Sequence, residues 1–161
     1  MPRANGGERN SGSNNFQMKK LLICFCLWSG SFLHAQTVWF NIMGDPEDAA
    51  VNSVEVDPTP VSVNGSSRAL RVRVSRSADR VSWDGVAYRS YVSEVIFDCA
   101  GNTARYAWID FYSQPAWKGE SHKRSVYSQS EIRPMRFTDI EPNPYQRIIR
   151  AACQTASIIN N

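Results

Sequence analysis

The chain has 161 residues, of which 42% are hydrophobic and four are cysteines, and its 18 basic and 15 acidic side chains leave a formal charge of +3. That length suits one domain with one core. The positive excess belongs to the N-terminus: Arg3, Arg9, Lys19 and Lys20 precede residue 36 against Glu8 alone, and the remainder is neutral, with 14 basic and 14 acidic residues. A nucleic-acid partner, which requires an excess of Lys and Arg over the binding surface, is therefore not expected.

Residues 1–17 are rich in Asn, Gly and Ser without periodicity and read as an extension, so Met1 and Met18 both stand as starts. Met18-Lys19-Lys20 opens an apolar run from Leu21 to Leu33, broken by Ser29-Gly30-Ser31 and closed by His34-Ala35. A positive start, an apolar middle and a small final residue make a secretory signal peptide over residues 18–35. The run is short of the about 20 residues that span a bilayer, so no transmembrane segment is expected after cleavage. Cys24 follows Ile23 and Cys26 follows Phe25, which does not suit lipid attachment. Residues 36–161 then form the exported domain, in the periplasm or at the outer surface.

Within that domain Thr37–Met43 is rich in β-branched and aromatic residues and predicts a first strand. Gly44-Asp45-Pro46-Glu47-Asp48 reads as a solvated turn, because its acids lack the spacing of a calcium loop. Ala50–Val56 predicts a second strand, stopped by Asp57-Pro58-Thr59-Pro60. Val61-Ser62-Val63 runs into Asn64-Gly65, a hairpin signal. In the next strand Leu70, Val72 and Val74 face one way and Arg71, Arg73 and Ser75 the other. With Arg68 and Arg76 the arginines make a basic stripe, open to two roles: contact with an anionic partner, or a charged face that blunts aggregation.

Val86–Phe97 predicts a long strand ending at Asp98-Cys99, and Thr103–Tyr112 its partner across an Ala100-Gly101-Asn102 turn. Strict alternation puts Tyr106, Trp108 and Tyr112 on one face of that partner and Ala107, Ile109 and Phe111 on the other. A strand apolar on both sides is central in its sheet or has one face against another molecule, including a second copy in a homodimer. Trp117 lies in the loop that follows, with two roles open, exposed anchor or lid on the core. Arg124–Tyr127 predicts a last strand, and Ser128–Glu141 is irregular, with Pro134 and Pro142 as breaks. Asn143 as cap, Pro144 at the first position and Gln146 in a capping box start a helix. Tyr145, Ile148, Ile149, Ala152 and Cys153 share its buried face, while Arg147 and Arg150 point away.

Cys99 and Cys153 are the two cysteines beyond the leader. In an oxidising compartment they allow one disulfide, with two free buried thiols as the alternative. A metal site is disfavoured, since neither has a His or Cys at ligand spacing. No catalytic residue, cofactor or metal is expected. His122 is the one histidine after the leader and sits among charges, no serine lies in a nucleophile elbow, and Asp98 is better placed to accept turn N–H groups than to pair with Asp110 as acid and base. A small hydrolase built on His122 is the least favoured reading.

Tyr91–Ala100, followed by Arg105 and Tyr112, resembles the surface-adhesin protein E-like family of small exported Gram-negative bacterial proteins. Trp39, Tyr88 with Ser90, Asp98 with Cys99, Arg105 and Cys153 occupy that family's shared places, over roughly residues 37–154. The resemblance implies an antiparallel sheet with a C-terminal helix held by the disulfide. It also implies binding of host extracellular-matrix or plasma proteins, often as dimers, although the shared positions are fold-keeping and carry no binding residue across. The fold expected is α+β: one antiparallel sheet of about six strands, an amphipathic C-terminal helix and one disulfide. The function expected is that of an exported binding protein, with Tyr106, Trp108, Tyr112, Trp117, Arg71 and Arg73 as the candidate surface. A periplasmic envelope protein without a host ligand is the alternative.

Overall fold

The β-branched and aromatic stretches form strands where their alternation places them, as the computed structural model shows for residues 38–154. The strands are β1 (Phe40–Met43), β2 (Ser53–Val56), β3 (Ser62–Asn64), β4 (Ser67–Val81), β5 (Ala87–Asp98), β6 (Thr103–Tyr112), β7 (Lys123–Val126) and β8 (Arg133–Pro134), followed by one helix, α1 (Tyr145–Gln154). The sheet runs β1-β2-β4-β5-β6-β7, with β3 beside β4 and β8 beside β6, and its pairings are antiparallel. The expected extension and leader lie outside the described residues.

One face of the sheet is the core. Val54, Val56, Leu70, Val72, Val74, Val95 and Phe97 are buried beneath Ile148, Ile149 and Ala152 of α1 and beneath Met135, Phe137 and Ile140 of the segment before it. Each fully buried aliphatic side chain contributes about 1.5–3 kcal/mol, so Ile148 and Ile149 go far towards holding the helix down. Asn143 caps α1 as expected, its Oδ1 accepting from Tyr145 N at 3.0 Å. Gln146 does not close a capping box; its Oε1 accepts from Asn102 Nδ2 at 3.1 Å and ties the helix to the β5–β6 turn. Cys99 and Cys153 form the disulfide, with Cα atoms 5.7 Å apart. Arg68 lies against it, Nη1 standing 3.1 Å from Cys99 Sγ and 3.4 Å from Cys153 O.

Two irregularities change which way side chains point. In β6, Trp108 pairs with Glu94 but Tyr106 pairs with Val95, so Ala107 is an extra residue, a β-bulge. The bulge turns Tyr106 inward with Ile109 and Phe111, where it is 2% exposed. Strict alternation, which groups Tyr106 with Trp108 and Tyr112, therefore fails at Tyr106, which lies on the opposite face from both. In β4 the register jumps between Ser75 and Arg80, which face Ser90 and Tyr88. Arg89 holds this excursion by donating to Arg76 O, Ser77 O and Ala49 O at 2.8–2.9 Å. The basic stripe also divides: Arg68 and Arg76 share the parity of Leu70 and Val72 and turn to the core side, away from Arg71 and Arg73. Gly44 closes the β1–β2 hairpin with a φ of 70°, where a Cβ would stand 2.1 Å from Asn52 O.

Candidate functional site

The face opposite the helix carries the chemistry of the candidate surface. Register lays its side chains in transverse rows: Glu55, Arg73, Val92, Asp110 and Arg124 in one, Arg71, Glu94, Trp108 and Val126 in the next. Arg73 is the centre of the first. Its Nε and Nη2 donate to Glu55 Oε2 and Oε1 at 2.6 and 3.0 Å, a two-pronged grip on a carboxylate that is itself buried. Its guanidinium also lies between two indoles, 4.3 Å from the ring centre of Trp39 and 4.1 Å from that of Trp117.

Towards the β7 edge of the same face the motif repeats. Arg124 takes both oxygens of Asp110, its Nε standing 2.6 Å from Oδ1, and lies 4.6 Å over the ring of Trp108. The hydrogen bond to Asp110 raises the Arg124 pKa, and burial, reinforced by the Asp110 charge, raises that of Tyr112. Both guanidinium groups are thus taken up by carboxylates, with the half-buried rings of Trp39, Trp117 and Trp108 stacked against them.

Trp117 is mounted by strain. Ala116 and Trp117 have φ values of 54° and 56°, a left-handed conformation rare for a bulky side chain. Two buried serines from neighbouring strands hold it: Ser75 Oγ accepts from Ala116 N at 3.0 Å and Ser90 Oγ from Trp117 N at 3.1 Å. Ser90 Oγ donates in turn to Gln114 O at 2.6 Å, and Trp117 Nε1 donates to Tyr91 O at 2.9 Å. Of the two roles open to Trp117, the structure gives neither in pure form: the ring caps Arg73 on the open face and stays half-buried.

The candidate residues therefore separate. Arg71, Arg73, Trp108, Tyr112 and Trp117 share the open face or its rim, and Tyr106 does not. Tyr106 belongs to the core side, its hydroxyl 2.9 Å from that of Tyr91, and burial raises the pKa of both. Sequence reasoning missed Trp39, Glu55, Asp110 and Arg124 as parts of the face. Trp39 had the plainest signal, a tryptophan beside the first strand; the others show themselves only once register is known.

The remaining chemical candidates are occupied by structural tasks. His122 is exposed just before β7, with Nε2 3.0 Å from Ala87 O. Asp98 Oδ1 accepts from Ala100 N and Gly101 N, both at 3.1 Å. Asp45 and Asp48 accept from the backbone of Glu47 and Ala50 in their own turn. Among the described residues no three His, Cys, Asp or Glu side chains gather as a metal site, and no helix is long and apolar enough to cross a membrane.

Compared with known families, residues 39–154 match the one described as Surface-adhesin protein E. No curated protein and no solved structure matches the chain.

Proposed function

Because the chain belongs to the surface-adhesin protein E family, we propose that it is an exported adhesin whose open sheet face binds a host matrix or plasma protein. Membership by itself supports an exported, adhesin-like protein that is not an enzyme; the class of partner and the surface are the further step. The observation that carries the step is the pre-positioned aromatic face. Trp117 is held in a strained turn, and Trp108 and Trp39 are stacked on arginines that buried or half-buried carboxylates already neutralise. Rigid aromatic side chains supply contact area at low entropic cost, which is why they dominate the energetics of protein interfaces. Leader cleavage after Ala35 and a location on the outer surface belong to the same proposal.

The test uses protein purified after export from cells carrying the full chain. It is passed over solubilised basement-membrane matrix and over whole plasma, with albumin as the blank. Retention above albumin that falls at least about tenfold in the Trp108→Ala, Tyr112→Ala double variant supports the proposal. Retention no better than albumin, or unaltered by the substitutions, overturns it. Surface labelling of intact cells that leaves the chain untouched would favour the periplasmic alternative.

A further inference from the structure

On the core side of the sheet, beyond the end covered by α1, a cavity of about 480 Å³ opens between the β4–β5 hairpin and residues 133–139. Six aromatic side chains line it, Trp83, Tyr88, Phe111 and Phe137 among them. Its charged lining holds Arg76, Arg80, Arg133 and Arg136 against Asp139, and Arg133 is also paired outside the cavity, with Nη2 2.8 Å from Glu131 Oε1 and 3.8 Å from Asp84 Oδ1. Arg76 is only 3% exposed and donates Nη2 to Asp139 Oδ2 at 2.7 Å, while Arg80 Nε lies 3.2 Å from the same oxygen. The Nε atoms of Arg76 and Arg133 are buried, and neither finds an acceptor among the described residues. Buried donors without an acceptor are uncommon in folded proteins, and each calls for an explanation. At the floor, the hydroxyls of Tyr91 and Tyr106 share one hydrogen bond, so one of them keeps a proton to give.

We propose that this cavity binds a small organic carboxylate, with an apolar or aromatic body against the ring-lined walls and the carboxylate among the arginines. Asp139 demonstrates the chemistry, since its own carboxylate already bridges Arg76 and Arg80. A monocarboxylate fits better than a phosphate or polyanion, because Asp139 offsets part of the positive charge and the walls are mostly carbon. Pockets of this size with a few convergent polar groups are the usual form of small-molecule sites. The site lies on the opposite side of the sheet from the proposed adhesive face and does not depend on it.

Calorimetric titration of the exported protein with 3-phenylpropionate tests the assignment, alongside 3-phenylpropanol as the uncharged analogue and acetate as the charge without the body. The expected result is saturable binding of 3-phenylpropionate, with a shift of the Trp83 indole resonance. Phenylpropanol and acetate should each bind at least about tenfold more weakly. Arg76→Gln should weaken binding by a similar factor. Arg133→Gln, on a partly exposed side chain at the rim, gives the same reading if the buried substitution prevents folding. Absence of binding through the millimolar range, equal binding of the alcohol, or an unchanged affinity in folded Arg133→Gln protein would overturn the proposal.

Discussion

Replacing Arg73 with leucine should be the most damaging single change on the open face. The Glu55 side chain is 5% exposed, and Arg73 holds both its oxygens, at 2.6 and 3.0 Å. Removing one member of a buried pair leaves an uncompensated charge and costs about 3–5 kcal/mol. The two indole contacts, at 4.3 and 4.1 Å, add about 0.5–1 kcal/mol each for a partly exposed cation. The total, about 4–7 kcal/mol, rivals the whole stability of many domains. The Glu55→Leu, Arg73→Leu double variant removes the charge together with its partner, and should lose only about 1–2 kcal/mol, mostly the indole contacts. Urea denaturation of the oxidised proteins, followed by tryptophan emission, measures all three free energies. A loss below about 1 kcal/mol in the single variant, or a double variant no more stable than the single one, would refute the clamp.

Two further outcomes rest on the core side. The Cys99→Ala, Cys153→Ala variant opens a loop of 54 positions and should be about 4 kcal/mol less stable by the chain-entropy argument, so a melting temperature equal to that of the oxidised parent would contradict it. Burial raises the pKa of Tyr91 and Tyr106, so the folded state keeps their protons above pH 10, the ordinary tyrosine value, where the unfolded chain releases them. Stability from these groups is therefore complete below about pH 10 and declines above it, by up to ~1.4 kcal/mol per pH unit for each. Phenolate absorbance and melting followed together should show the buried pair ionising only as the fold is lost; full ionisation near pH 10 in an intact fold would count against the burial argument. Tyr127, pushed up to about 12 by burial and by its bond to Asp84, should also ionise late.

The elements were legible where a pattern was long and regular. Leu70-Arg71-Val72-Arg73-Val74 fixes β4, the run from Thr103 to Tyr112 is β6 from end to end, and Asn143-Pro144 starts the helix. Side-chain direction was less legible, because alternation counts residues and a bulge adds one without any mark in the sequence. Ala107 looks like any strand alanine, yet it moves Tyr106 to the other side. Arg68 and Arg76 were grouped with Arg71 and Arg73 by proximity, although parity alone separates them. Gln146 stands where a capping box needs it and is drawn instead to Asn102, a residue 44 positions away that only the tertiary fold supplies. The Arg73 clamp escaped for the same reason: Glu55 is 18 positions away, and Trp117 arrives through a turn that Ser75 and Ser90 hold together.

The extra residue in β6 gives one strand two audiences. Tyr106 and Trp108, only two positions apart, report to opposite sides of the sheet: one to the hydroxyl pair at the cavity floor, the other to the outer row with Arg124. Descendants of this sequence are free to redesign their outward lettering at Trp108 or Tyr112 without disturbing what is stored within. Dropping the plain alanine between Tyr106 and Trp108 would rotate one half of the strand and swap its public and private faces.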